Sequence, residues 1–368
     1  MKIFKEILAD FSLSYPLEKL APLEKILFFD IETTGLSARS SYLYLIGCAY
    51  YESGYWHTIQ WFAERYDQEA AILDAFFAFA TSYDHLIHFN GNTFDLPYVE
   101  QKCSQLELPH NFEPFSGIDL YKRIAPYKFF LKLPNCKQKT VEQFLGIDRK
   151  DIFTGGELIG IYQDYVKSPT EFAEKTLILH NADDLKGMLQ SLPILAYYDL
   201  FNEDSLKAKK VQANYYKDVN GAKHRELLIT LQLPTPLPCL VSASANNCYF
   251  RGEGPEATLK VPIYDEELKY FYSNYKDYYY LPEEDVALHK SVATFVAKDH
   301  RLPATASTCY TRKFSSYLPQ WDICFEPFFK RDYKSRELFF ELTDEMKKNR
   351  EAFTSYAAHV LNMIASTY

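Results

Sequence analysis

The chain has 368 residues, 47% hydrophobic and 24% charged, with 30 Tyr and 28 Phe; this excludes a disordered or low-complexity protein and leaves room for two domains. Its net charge is −9, but residues 1–204 carry 18 Lys and Arg against 29 Asp and Glu, whereas 205–368 carry 22 against 20, so positive side chains for an anionic partner lie in the second part. No apolar run reaches transmembrane length, Met1–Glu6 lacks the apolar centre of a signal peptide, and the seven Cys are scattered without a Cys-x-x-Cys pair, which predicts a cytoplasmic protein with reduced thiols, no membrane and no zinc site.

Residues 1–24 read as a short amphipathic lead-in in which Pro16 and Pro22 stop any long helix. Ile26–Phe29 is an apolar run that enters Asp30-Ile31-Glu32-Thr33-Thr34-Gly35-Leu36, a buried strand leading into a loop. Tyr42–Tyr51 and Tyr55–Phe62 follow as strands joined by a Glu52-Ser53-Gly54 hairpin turn. Ala70–Ala80 is an apolar helix, His85–Phe89 a strand ending in the turn Asn90-Gly91-Asn92, and a helix begins near Phe94. Gln138–Leu145, Glu157–Val166 and Glu171–Leu195 complete the helices of a first domain. Antiparallel strands followed by alternating strands and helices predict an α/β domain, a mixed sheet flanked by helices, closing near residue 200. After Asn202-Glu203-Asp204 come β-like runs in 223–265, a helix from Pro282-Glu283-Glu284-Asp285 through Phe295, and a final helix over 343–366 capped by Thr343. These predict a smaller α+β region over 205–368.

Side chains alternate along a strand, so Asp30 and Glu32 leave it on the same side. Two carboxylates at the edge of an apolar core call for a neutralising cation, most directly a divalent metal, although Asp-x-Glu alone is also ordinary strand-end polarity. Asp95 opens a helix that follows a strand, where it faces the mouth of the sheet. His180 and Asp184 are four apart in a helical segment and share one face, while Asp183 points about 100° away. Asp184 is therefore the expected partner of the earlier carboxylates.

Together these stretches resemble the DEDD superfamily of 3′–5′ exonucleases, which have a ribonuclease-H-like fold. Asp30 to Leu36 is similar to its first motif, Asn90 to Tyr98 to its second, and His180 to Asp184 to its third. The second, with Phe-Asp-Leu-Pro-Tyr, is nearest to the proofreading domains of family-B DNA polymerases and to a group of bacterial ribonuclease-H-like proteins. The resemblance covers residues 24–197, and nothing recognisable as a polymerase follows. It implies that Asp30, Glu32, Asp95 and Asp184 hold two Mg²⁺ or Mn²⁺ ions; such hard-oxygen sites stabilise the attacking and leaving oxygens of phosphodiester hydrolysis. The match departs at the base. The family places Tyr four residues, or His five, before the last Asp, and here His180 stands at the Tyr spacing. His180 is then either the general base or a packing residue of its helix, with Asn181 the alternative group to reach the site. Thr33, Thr34 and Leu36 resemble the loop that touches the terminal nucleotide, Leu36 as an apolar wedge. Asn90 resembles a substrate-contacting Asn, although Asn-Gly also makes tight turns.

Asp119 reads as a strand-end carboxylate, His57, His85 and His88 as satisfied core or edge histidines, and Lys137 and Lys139 as either solvated charges or phosphate-backbone contacts at a helix start, with Arg149 and Lys150 read the same way. In the second region Tyr278, Tyr279, Tyr280, Lys290, Arg301, Tyr310, Arg312 and Lys313 are either stacking and phosphate contacts for a single strand or core rings with a solvated rim. The resemblance implies a two-metal 3′–5′ exonuclease acting on single-stranded DNA or RNA, DNA before RNA, and releasing nucleoside 5′-monophosphates. The exonuclease domain is expected over 1–204, with 205–368 handling substrate or docking a protein partner. Its rivals are a non-catalytic nucleic-acid-binding protein on the same fold and a ribonuclease-H-type endonuclease.

Overall fold

In the computed structural model, which describes residues 1–9, 11–149, 153–202 and 206–367, the chain opens with a strand, β1 (Lys2–Leu8), instead of the expected amphipathic lead-in. Most of its side chains are exposed and only Leu8 is buried, as suits a strand at a sheet edge, and it pairs antiparallel with β4 (Tyr55–Phe62). In the chain β2 (Ile26–Thr33) and β3 (Leu43–Glu52) come between these two strands, and the β3–β4 turn places Ser53 at φ 52° and Gly54 at φ 88°, the left-handed pair that a two-residue hairpin requires. The helix α1 (Glu69–Ala80), strand β5 (His85–His88), helix α2 (Asp95–Gln105) and strand β6 (Ser116–Asp119) follow. The sheet order is β1-β4-β3-β2-β5-β6. Its first four strands pair antiparallel, and β2, β5 and β6 pair parallel.

The short helix α3 (Leu120–Ile124) and α4 (Gln138–Phe144) lead to α5 (Gly155–Lys167), α6 (Glu171–Ser191) and α7 (Leu195–Asn202). Thr154 and Glu157 form a reciprocal capping box on α5, and the Thr170 hydroxyl caps α6 by accepting from the Ala173 N–H. Helix α6 lies over β2, β3 and β4. On the other face Phe29 of β2 packs its ring 4.9 Å from Phe76 of α1. A strand covered on both faces is apolar throughout, as Ile26–Phe29 is, and its two carboxylates fall on the α6 side.

Met1–Asp199 and Leu237–Cys239 make up this first compact unit; Leu200–Pro236 and the chain from Leu240 make up the second. The second unit is built on β7 (Lys207–Lys217) and the long strands β8 (Lys223–Ala245) and β9 (Cys248–Phe271). After β9 the expected helix through Phe295 is replaced by a small sheet: β10 (Tyr278–Leu281) and β11 (Val286–His289) form a hairpin, followed by the single-turn α8 (Lys290–Ala293) and β12 (Leu302–Pro303). Aromatic and β-branched residues flanking a left-handed Asp285 (φ 50°) outweigh the Pro and acidic start signal. Strands β13 (Tyr310–Gln320), β14 (Phe328–Phe329) and β15 (Leu338–Glu341) complete a six-stranded sheet in the order β14-β15-β13-β9-β8-β7. The last helix, α9 (Arg350–Thr367), begins later than expected. Thr343 caps only a 3₁₀ turn, and Asn349 caps α9 by accepting from the Ala352 N–H.

Candidate active site

Asp30 stands opposite Gly47 on β3, and Gly47 stands opposite Gln60 on β4. This row of three creates a notch, because a Cβ on Gly47 would lie 1.9 Å from Oδ1 of Asn181. Asn181 of α6 occupies the notch, donating from Nδ2 to Asp30 Oδ2 at 2.7 Å and accepting at Oδ1 from Gln60 Nε2 at 2.8 Å. One amide therefore fixes the helix against three strands and sets the rotamer of Asp30. It is the Asn181 side chain, the alternative weighed from sequence, that holds the first carboxylate.

One turn further along α6, the same helix face brings in the remaining acid. Glu32, His180 and Asp184 place donor atoms within 4.8 Å of one another. His180 Nε2 is 3.6 Å from Glu32 Oε1 and 3.4 Å from Asp184 Oδ2, and all three side chains are at least four-fifths buried. Asp95, the first residue of α2, faces the same cluster. Burial pushes its carboxyl up to about 7; hydrogen bonds from its own backbone and from the Ile31 N–H oppose this, and Asp119 and Asp184 add repulsion. Burial, followed by the charges of Asp184, Glu32 and Asp95, drives Asp30 well above the usual carboxylate range despite the bond from Asn181. Four carboxylates from three distant stretches thus repel one another in one place.

The turn that delivers Asp95 is tightly built. The Gly91 N–H donates to His88 Nδ1 at 3.1 Å, and a Cβ at Gly91 would lie 2.7 Å from that ring. Asp119 accepts from the Asn90 N–H at 2.9 Å and from the Asn92 N–H at 3.4 Å, so its carboxylate holds the turn. Asn90 adopts φ 64° and accepts from the Thr93 hydroxyl at 2.8 Å, which leaves its amide nitrogen as the group for any substrate contact.

The loop after β2 is anchored from beneath. Thr33 donates to the Gly35 carbonyl at 2.9 Å, and Thr34 Oγ1 accepts from the Tyr42 N–H at 2.8 Å. Below them Lys102 of α2, 5% exposed, pairs with Glu69 of α1 at 3.0 Å and also donates to the Ser41 carbonyl. Leu36 projects from the loop with 88% of its surface exposed, so it is no packing residue of the unit.

Arg149 departs from the solvated reading of it; Lys150 lies outside the described residues. The Arg149 side chain is 11% exposed and its Nη1 is 2.6 Å from Asp184 Oδ1. Its Nη2 donates to Glu142 Oε1 at 2.7 Å and its Nε to Glu142 Oε2. Burial works against the guanidinium charge, but the Glu142 and Asp184 carboxylates outweigh it and hold Arg149 above its ordinary value. Gln138 completes the arrangement by donating to Glu142 Oε1 at 3.0 Å and to the Asp184 carbonyl at 2.8 Å. No local pattern announces this network; the only sequence hint is Gln138 and Glu142 at the i, i+4 spacing of one helix.

The donor set fits divalent cations. Hard carboxylate oxygens crowd together with two aspartates held at raised pKa, a repulsion that a divalent cation would relieve.

The aromatic and basic residues singled out in the second unit are engaged internally. Tyr272 and Tyr278 stack at 4.7 Å, the Tyr280 hydroxyl donates to Asp285 at 2.6 Å and that of Tyr310 to the same oxygen, and Lys313 pairs with Glu341 at 2.7 Å. Arg301 donates to the Ala293 carbonyl, and Arg312 donates to the Glu284 carbonyl at 2.9 Å. Tyr279 has Arg301 4.8 Å and Lys290 5.7 Å from its ring centroid.

No helix among the described residues is long and apolar enough to cross a membrane. Residues 27–192 match the family model of the RNase_H superfamily. No curated protein matches the chain. Among solved structures, the family B DNA polymerase of the hyperthermophilic archaeon Pyrobaculum calidifontis aligns with a TM-score of 0.40 at 14% identity, over 73% of this chain and 40% of the polymerase. E. coli exonuclease I in complex with a dT13 oligonucleotide aligns with a TM-score of 0.29 at 12% identity, over 56% of this chain and 54% of the exonuclease. The chain thus spans about half or less of either protein, and likenesses this slight say nothing of substrate. What the family match and the sheet order together establish is the fold: the first unit is a ribonuclease-H-like domain, matched from the strand that carries Asp30 to the helix that carries Asp184.

Proposed function

We propose that the first unit is a divalent-metal-dependent nuclease that shortens single-stranded nucleic acid from its 3′ end and releases nucleoside 5′-monophosphates. The observation that carries this reading is the convergence of Asp30, Glu32, Asp95 and Asp184, close enough to repel one another, with His180 between Glu32 and Asp184. The four carboxylates are the groups to hold Mg²⁺ or Mn²⁺, which when bound supplies Lewis-acid stabilisation of the phosphodiester and a more acidic water. His180, lying between Glu32 and Asp184, is the group nearest to accept the proton of an attacking water. Asn181 keeps Asp30 aimed into the cluster, and the anchored loop presents Thr33, Thr34 and the exposed Leu36 to a terminal nucleotide.

One observation favours a second reading, a non-catalytic nucleic-acid-binding protein on the same fold: Arg149 already lies against Asp184 and supplies a positive charge there without any metal. The two readings part in a single assay. With Mn²⁺ present, the parent chain shortens a 5′-labelled single strand stepwise, and Asp30→Ala and Asp184→Ala do not; undiminished shortening by both variants refutes the site, and a parent that binds without cutting leaves only the second reading. A circular single strand that stays intact excludes an endonuclease.

A further inference from the structure

The second unit carries its positive charge unevenly. Residues 207 to 225 include five Lys and one Arg against the single acid Asp218, in a chain whose net charge is −9. They form β7 and the start of β8, at the edge of the sheet, with Tyr215 opposite Arg225, Tyr216 opposite His224 and Lys217 opposite Lys223. Directly opposed residues share a face, so Tyr215, Lys217, Lys223 and Arg225 stand on one side of this ribbon and Tyr216 and His224 on the other. From Tyr215 to His224 every residue except Asp218 is exposed. Tyr215 is 71% exposed and Val219 at the tip entirely so.

Lysines on an edge strand also guard against edge-to-edge pairing of sheets. That role needs charge alone, and it gives no reason for two adjacent tyrosines open to solvent. Each of those rings is braced: the Arg225 guanidinium, itself fixed by Asp265 at 2.6 Å, sits 5.9 Å from the Tyr215 centroid, and Tyr216 stacks on His224 at 5.3 Å. Lys209 is taken by Glu256 at 2.8 Å, but Lys207, Lys210, Lys217 and Lys223 have no ion-pair partner among the described residues. Uncommitted ammonium groups beside rings that are open on one side are the elements that track a sugar-phosphate backbone and stack its bases.

We propose that this face of the β7–β8 ribbon is a binding surface for single-stranded nucleic acid, with Lys217 and Lys223 meeting phosphates and Tyr215, on the same side, stacking on a base. The choice of ligand rests on the nucleic-acid reading of the first unit; the surface itself rests on the charge and rings of the second. The test uses the full chain with EDTA, so that no hydrolysis occurs, and the fluorescence anisotropy of a labelled twenty-nucleotide dT strand between 50 and 200 mM NaCl, a salt range over which phosphate contacts weaken by orders of magnitude. The Lys217→Gln, Lys223→Gln double variant binds more weakly, with a log–log salt slope flatter by about 0.7 per lysine. Tyr215→Ala loses about fivefold or more in affinity while the slope stays put. Parent-like binding by both variants overturns the proposal, as does tighter binding of a duplex of equal length, of anionic vesicles or of an acidic polypeptide. Lysine variants that aggregate in sedimentation while binding unchanged assign the ribbon to edge protection instead. If the parent binds dT but cuts nothing, the nuclease reading fails and the ribbon stands.

Discussion

The two units of this protein each rest on a six-stranded sheet, yet they treat charge in opposite ways. The first buries Glu32, Glu69, Asp95, Lys102, Asp119, Glu142 and His180, whereas the polar side chains buried among the described residues of the second are Thr235 and Gln320, neither of which ionises. The ion pairs of the second unit, such as Arg225–Asp265, Lys313–Glu341 and Arg331–Glu266, lie at its rim. Burying a charge is costly unless partners are supplied for it, and the first unit supplies them in part, Lys102 for Glu69 and Arg149 for Glu142. The second unit keeps its interior apolar and offers its charge outward.

This contrast can be broken at several points. The largest effect is on hydrolysis: Asp30→Ala or Asp184→Ala lowers Mn²⁺-dependent cutting by roughly a thousandfold or more, the loss of several kcal/mol of electrostatic stabilisation, while circular dichroism shows both variants folded. Next comes stability. Lys102→Met leaves Glu69 buried without its counter-ion and destabilises the protein by about 3–5 kcal/mol in urea unfolding. Gly47→Ala forces a methyl group into the Asn181 amide and costs about 1–3 kcal/mol in the same measurement.

The pH response is smaller and has a definite sign. An aspartate whose folded pKa lies above its unfolded value binds extra protons in the folded state, so stability falls as pH rises between the two. For Asp95 that window runs from the ordinary 3.8 to about 7, and Asp30 shifts in the same direction. Metal-free protein should therefore melt at progressively lower temperature from about pH 4 to pH 7. Millimolar Mn²⁺ should offset the decline by binding only the folded state. The smallest effect belongs to the second unit: Lys313→Gln, whose ammonium is half exposed, shifts unfolding by less than about 1 kcal/mol. If Lys102→Met proves no worse than Lys313→Gln, the contrast between the units is wrong.

The parts legible in the sequence were those written in local pattern. The apolar run before Asp30, the hairpin around Ser53-Gly54 and the helices α1, α2 and α6 follow from periodicity and turn chemistry, and the four carboxylates follow from short motifs. Strand β1 was hidden because Lys2-Ile3-Phe4-Lys5-Glu6-Ile7-Leu8 has no period-two alternation: an exposed edge strand does not need one, and without it the stretch reads as a solvated lead-in. Arg149, Glu142, Gln138 and Gln60 were illegible for another reason. Their partners are decided by how α4 and α6 cross and by which residues of β2, β3 and β4 stand side by side, and none of that is local. Gly47 did carry a signal, a lone glycine inside an apolar strand, which marks a place where something approaches the backbone closely. The tyrosines near residue 280 left two readings open, since density of rings along the chain does not say whether their hydroxyls have found an internal acceptor such as Asp285.

Gly47 also bears on how the protein should be mutagenised. Alanine scanning assumes that every substitution removes atoms, but here alanine is the addition, and the space it enters is the one that lets a helix amide sit flush on three strands. A scan would therefore flag a position that touches no substrate and has no chemistry of its own. The aim of Asp30 depends on a hydrogen atom standing where every other amino acid places carbon.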